Sequence, residues 1–273
     1  NDIIDFFKNL FTKSGFDIAT MKIISGEDIG TAEDINENDG LFLQINNEKQ
    51  QKIVNDIKAV SNRIEKKAVK NPLGGEEEKY FIDGVQIKHR VSNIIKSWYA
   101  EKQAEAALTD SEYKKAINTL KADKGTAGHK DLEHVFALLT TAEGKLKSKE
   151  TLDEAIQNDS HVSFLNPDNN DMYNILRANL RERMESFPQG TIFMSEITIH
   201  DPRRSVAGTV DFLAVTPEGK VNILDWKFIG LNTEKFTDIP WYNVASWDKQ
   251  MKQYKLIIKD KLDFESFSIS FSQ

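Results

Sequence analysis

Cysteine is absent from the 273 residues, so no disulfide framework, thiolate zinc site, iron–sulfur cluster or cysteine nucleophile is available. Long apolar runs are also missing. None approaches the ~20 residues that a membrane span needs, so no membrane partner is expected. The first residues, NDIIDFFKNLF, lack the basic start of a signal peptide, and position 1 is not Met. These absences suggest a cytoplasmic, intracellular piece of a larger protein, phage-encoded or bacterial. An excess of basic charge is lacking too: 36 Lys+Arg stand against 43 Asp+Glu, a formal charge of -7. That balance argues against coating nucleic acid or an anionic membrane by bulk electrostatics, and leaves room for a local basic groove.

What is present is an ordinary globular mixture, 39% hydrophobic and 29% charged, long enough for one large domain or two small ones. A short helix is expected over Ile3–Leu10, followed by the acidic loop GEDIGTAEDINENDG and a brief apolar run at Leu41–Gln44. Residues 47–70 read as one charged helix with Val54, Ile57, Val60 and Ile64 as its stripe. Asn71-Pro72 stops it and Gly74-Gly75 makes a joint. The expected division is an N-terminal segment, 1–72, of unknown role, and a domain over 73–273.

Beyond the joint, Asp83-Gly84 marks a hairpin turn. Helical patterns follow over Val91–Ala107, Ser111–Leu120, Thr126–Thr140, Ser148–Gln157 and Met172–Phe187. Strands are expected at Thr191–Ile199, Ala207–Thr216 and Val221–Ile229, then a helix over Tyr242–Lys259 and a last strand at Phe264–Phe271. Helices first, then β-β-β-α-β, predict an α/β or α+β core with a helical flank.

The chemistry concentrates in AGTVDFLAV-TPEGK-VNILDWKFI. Pro217 and Gly219 mark a turn between two apolar strands. If Val215 pairs with Val221, Leu213 faces Ile223 and Asp211 faces Asp225. Opposed like charges destabilise a sheet, so two carboxylates among valines and leucines call for a cation. A divalent metal is the natural one, since hard cations take carboxylate oxygens. Period-2 geometry puts Lys227 on the face of Asp225 and Trp226 on the other. The pattern [DE]-x-K alone says little, because it recurs at Asp56/Lys58, Glu65/Lys67 and Glu77/Lys79, where solvated pairs are the default. A structural ion pair at a sheet end is the competing reading of Asp225 and Lys227.

Gly208-Thr209-Val210-Asp211, Asp225-Trp226-Lys227 and Gln250-Met251-Lys252-Gln253-Tyr254 together resemble the PD-(D/E)XK nuclease superfamily. More narrowly they resemble its RecB-like exonuclease branch, whose motifs run G-x-x-D, D-x-K and Q-x-x-x-Y; mitochondrial genome maintenance exonucleases share the D-W-K form. The resemblance covers about residues 80–273. It implies a restriction-endonuclease-like core and a Mg²⁺- or Mn²⁺-dependent deoxyribonuclease with one or two ions. Asp211, Asp225 and the Trp226 carbonyl would be ligands, and Lys227 would orient the attacking water and counter developing charge. An ammonium beside two acids favours that electrostatic role over general base. His129, in GTAGHKDLE, matches an upstream histidine of the branch and would be a further ligand; a surface histidine is the alternative. Glu196 occupies the place of an additional catalytic acid, unless it pairs with Arg203 or Arg204. Gln250 and Tyr254, at i and i+4 on one helix face, would brace the site and contact DNA. Arg203, Arg204, Lys88, His89, Arg90, Arg177, Arg181, Arg183, Lys52, Lys58, Arg63, Lys66 and Lys67 are candidate phosphate binders, with Trp98, Tyr99, Trp241 and Trp247 as candidate stacking rings.

The implied partner is DNA, as single strands, ends or flaps, in replication, recombination or repair, alongside other domains of a larger protein. Competing readings are a non-catalytic binding or scaffold module on the same fold and a structure-specific endonuclease.

Overall fold

Apolar strands that alternate toward two helical layers organise the chain. The computed structural model describes residues 37–70, 75–97, 112–165, 171–228, 241–259 and 268–272. The expected helix at Ile3–Leu10, the acidic loop as far as Asn36, Trp98 and Tyr99 lie outside them. The described residues form an α+β fold with six helices: α1 (Glu37–Ser61), α2 (91–97), α3 (Glu112–Leu139), α4 (Lys149–Gln157), α5 (Asp171–Glu185) and α6 (Trp241–Lys259). The strands are β1 (Ile64–Lys70), β2 (Glu76–Ile82), β3 (Val85–Gln86), β4 (His89–Arg90), β5 (Ile192–Asp201), β6 (Val206–Val215), β7 (Val221–Phe228) and β8 (Ser268–Ser272). By compactness the chain divides into Asn1–Gln44 and Ile45–Gln273. The second unit therefore begins ahead of the Gly74-Gly75 joint and takes in β1 and the latter part of α1.

β1, β2 and β3 make a small antiparallel sheet, and the other five strands a mixed one. In the mixed sheet, β5 runs antiparallel along the whole of β6. The other edge of β6 is shared: β7 pairs antiparallel with Phe212–Val215, and β4 pairs parallel with Val206 and Ala207. Between those two partners, at 208–211, the edge of β6 opens. β8 extends the sheet parallel to β7.

Two cores flank the mixed sheet. One gathers Ile53, Val54 and Ile57 of α1, Val91 of α2 and Met251, Tyr254, Ile257 and Ile258 of α6. The second gathers Leu132, Val135 and Leu139 of α3, Leu152 of α4 and Leu176, Leu180 and Met184 of α5. Each fully buried aliphatic side chain contributes roughly 1.5–3 kcal/mol, so these two layers fix the sheet that carries the acids.

Two helical expectations are corrected. Residues 64–70 form a strand, not the end of a helix. Ile64 and Ile82 pack on a third cluster with Tyr80, Ile87 and Ala207, and the strand reaches it by pairing Lys70 with Glu76 and Lys66 with Tyr80. Pairing with β2 along the whole strand won over the helical propensity of EKKAVK, although only Ile64 and Val69 are half-buried. The two segments expected at 111–120 and 126–140 are one helix, because Gly125 is tolerated inside α3. One loop expectation changes as well: α1 begins at Glu37, so the end of the acidic loop and the run at Leu41–Gln44 belong to the helix expected from 47. Ser148 caps α4 by accepting from the Thr151 amide, and Asp83-Gly84 turns the β2–β3 hairpin with both residues at positive φ. Glu65/Lys67 and Glu77/Lys79 are exposed or half-exposed ion pairs.

Candidate metal centre

The β6–β7 register follows the turn at Pro217–Gly219: Val215 pairs with Val221, Leu213 with Ile223, and Phe212 with Leu224. The ladder stops one step before Asp211 and Asp225. There the Trp226 amide donates to Asp211 Oδ2 at 2.9 Å, so a side chain replaces the ladder bond. The Trp226 ring is buried in the second core, on the face opposite Asp225 and Lys227.

The same level of the sheet is special on β5. Ile192 and Met194 face the first core and Phe193 the second, yet beyond Glu196 it is Ile197 and Ile199 that face the first core. β6 changes in step, with Leu213 and Val215 but then Val210 and Val206 on that face. Glu196 lies at φ +50°, in the left-handed region, and this resets the alternation without shifting register. Ser195 pairs with Phe212 and Ile197 with Val210, which puts Glu196 directly across from Asp211.

α3 supplies the third group. His129 Nδ1 lies 3.8 Å from Asp211 Oδ2 and has no hydrogen-bond partner among the described residues. Its ring meets Phe228 edge-on at 5.5 Å. Gly128 lets the helix come this close, since a Cβ there would fall 2.5 Å from the Phe228 ring. One ligand atom each from His129, Glu196 and Asp211 lies within 4.8 Å of the others, so the three could hold a metal ion.

Asp225 is outside that trio but adjoins it. It is 1% exposed, and Lys227 Nζ approaches its Oδ2 at 2.5 Å. Gln250 completes the frame: its Oε1 accepts from Lys227 at 3.1 Å, and its Nε2 donates to Asp225 Oδ1 at 3.3 Å and to the Tyr254 hydroxyl at 2.9 Å. That hydroxyl donates to the Thr209 carbonyl at 2.6 Å, in the open edge of β6. Gly208 is required beside it, because a Cβ would fall 2.7 Å from the Tyr254 ring and 2.8 Å from Val91.

The electrostatics follow from burial. Burial, then the charge of Asp225, pushes the Asp211 carboxyl well above the usual carboxylate range, with Lys227 and the Trp226 amide opposing. Burial likewise raises Glu196, with Lys66 opposing and Glu133 adding to the rise. Burial and the Lys227 charge lower His129, which keeps its imidazole neutral and able to donate a lone pair. A divalent cation fits this set: hard carboxylate oxygens, a neutral imidazole with an unpartnered nitrogen, and acids that burial leaves short of positive charge.

Other expected residues lie elsewhere. Arg204 donates to Asp201 Oδ2 at 2.5 Å and to Gln253, and the Arg203 amide donates to Asp201. Their turn lies five residues along the strands from the acids, about 16 Å, so neither arginine reaches the trio and neither pairs with Glu196. Arg177 donates to Asp159, Arg181 to Asp153 and Glu185, and Arg90 to Glu78. His134, next door to His129 in sequence, contacts Asp159 and stacks on His161 at 4.0 Å. The sequence reading missed the hydroxyl chain Tyr80–Thr209–Thr198; only the pairing of two separate sheets brings it together.

No protein-family model matches the chain, and no curated protein matches it.

Proposed function

We propose that the chain is a metal-dependent deoxyribonuclease with a restriction-endonuclease-like core, acting as an exonuclease on single-stranded ends or flaps in replication, recombination or repair. The observation that carries this reading is the convergence of His129, Glu196 and Asp211 on one point, beside an Asp225–Lys227 pair framed by Gln250. The order G-x-x-D, D-x-K and Q-x-x-x-Y on strand, strand and helix supports it.

His129, Glu196 and Asp211 would hold the ion, with Asp225 adjoining from β7. A bound Mg²⁺ or Mn²⁺ supplies Lewis acidity at the phosphoryl oxygens and lowers the pKa of a coordinated water. Lys227, fixed between Asp225 and Gln250, orients the attacking water and offsets negative charge growing on the phosphoryl group. Gln250 and Tyr254 hold that ammonium in place through the Thr209 carbonyl. Phe228, packed on Gly128 and the His129 ring, keeps water off one side of the imidazole.

Incubating the chain with end-labelled single- and double-stranded DNA in Mg²⁺, Mn²⁺ or EDTA tests the reading. Metal-dependent shortening from the ends, abolished by Asp225→Ala and by Lys227→Ala, is the expected result. Binding without cleavage under every metal would favour a scaffold module, and cutting of a circular single strand would favour an endonuclease.

A further inference from the structure

Lys66 enters the sequence as one of a row of cations, but the fold sets it apart. It lies on β1 directly across from Tyr80 of β2. Cross-strand partners share a face, with Cβ atoms about 4.5–5.5 Å apart. Tyr80 is buried, and its hydroxyl meets Thr209 Oγ1 at 3.0 Å, which in turn lies 3.2 Å from Thr198 Oγ1. Thr198 and Thr209 are register partners on β5 and β6, and two residues along each strand, where the alternation resets, lie Glu196 and Asp211. Two residues of strand span about 7 Å. The docking of Tyr80 on the threonine pair therefore carries Lys66 toward the acid pair. The charge of Lys66 is felt at Glu196, as is that of Glu133 from α3.

Neighbouring cations are committed elsewhere. Lys67 pairs with Glu65, Lys79 with Glu77, Arg90 with Glu78 and Arg63 with Asp83. Lys66 is exposed, and among the described residues no carboxylate lies within ion-pair distance of it. A cation left unpaired at the edge of an acid-lined site is placed for an anion brought in by a substrate.

We propose that Lys66 holds a backbone phosphate of the nucleic-acid strand as it enters between the small sheet and α3, and so positions the scissile bond over Glu196 and Asp211. This rests on the nuclease reading above. Lys66 is here a substrate-positioning residue, while the groups on the mixed sheet and α3 act on the reacting atoms.

The test compares the wild type with Lys66→Ala, Lys66→Arg and, as a control on the other face of the small sheet, Lys79→Ala, at the register partner of Lys67. KM and kcat are measured on a labelled single-stranded oligonucleotide in Mn²⁺. Anisotropy in Ca²⁺ gives the salt dependence of oligonucleotide binding, and Mn²⁺ affinity is measured separately. Lys66→Ala should raise KM about tenfold with kcat within twofold, the scale of one lost charge-assisted bond. It should also flatten the salt slope by about 0.7, one phosphate contact on a single strand. Lys66→Arg should restore both, and Lys79→Ala should match wild type. A cleaving wild type whose KM is unchanged by Lys66→Ala overturns the proposal. So does a change in Mn²⁺ affinity alone, which would make Lys66 a counter-ion of Glu196. A wild type that cleaves no DNA in any metal sinks the nuclease reading itself, and the role of Lys66 with it.

Discussion

Asp211 is the residue on which the balance of the site turns. It is half-buried, with 14% of its side chain exposed, beside Asp225 and across from Glu196, and among the described residues its neutral donor is the Trp226 amide. An acid whose native pKa is raised holds its proton longer in the folded than in the unfolded chain. Its charge then costs stability, increasingly so as pH rises from about 3.9 through the raised value. Asp211→Asn should therefore stabilise the metal-free protein at pH 8 by about 1–3 kcal/mol, and the gain should fade toward pH 4. Denaturant melts at both pH values measure this, and the same variant should lose the Mn²⁺-induced rise in Tm. His129 runs the other way. Its native pKa is lowered, so its contribution is lost as pH falls below about 6.5. The Mn²⁺-induced rise in Tm should shrink as pH falls, because protons compete with the metal for the raised Glu196 and Asp211 carboxyls before they reach the imidazole, and a rise that grows on acidification would contradict the assignment.

At the scale of elements, the site is a place where regular strands stop being regular. The left-handed Glu196 changes which residues of β5 face which core. A non-glycine residue pays roughly 1–2 kcal/mol for that conformation. Glu196→Gly should then be more stable than Glu196→Ala by about 1 kcal/mol in urea melts, while both lose metal affinity. Equal stability of the two would remove the strain from the account. On α6, Tyr254→Phe leaves the Thr209 carbonyl and the Gln250 amide without their shared hydroxyl, at an expected cost of about 1–3 kcal/mol by denaturant titration. The β6–β7 register was legible beforehand because Pro217 and Gly219 fix a turn between two apolar runs, and the register then sets the level of Asp211 and Asp225. The Asp225/Lys227 face and the i, i+4 pairing of Gln250 with Tyr254 followed from periodicity alone. The strand at 64–70 was hidden because EKKAVK has no buried alternation of its own and is made a strand by its pairing with Glu76–Ile82. The twist at Glu196 was hidden because nothing in FMSEITI marks a left-handed residue.

Over the whole molecule, a formal charge of -7 stands beside the proposed binding of an anionic strand. Part of that charge converges at the acids, where a bound divalent cation would reverse the local sign. Many of the surface arginines and lysines are already paired with acids, so binding of DNA without metal should be weak and salt-sensitive. Among the described residues no helix is long and apolar enough to cross a membrane. The central claim is that one divalent cation belongs between α3 and the mixed sheet. Anomalous diffraction from Mn²⁺-soaked crystals tests it most directly. A single dominant peak bounded by His129, Glu196 and Asp211, absent in Asp211→Asn, is the predicted result. No peak there, or a peak that survives the substitution, would contradict it.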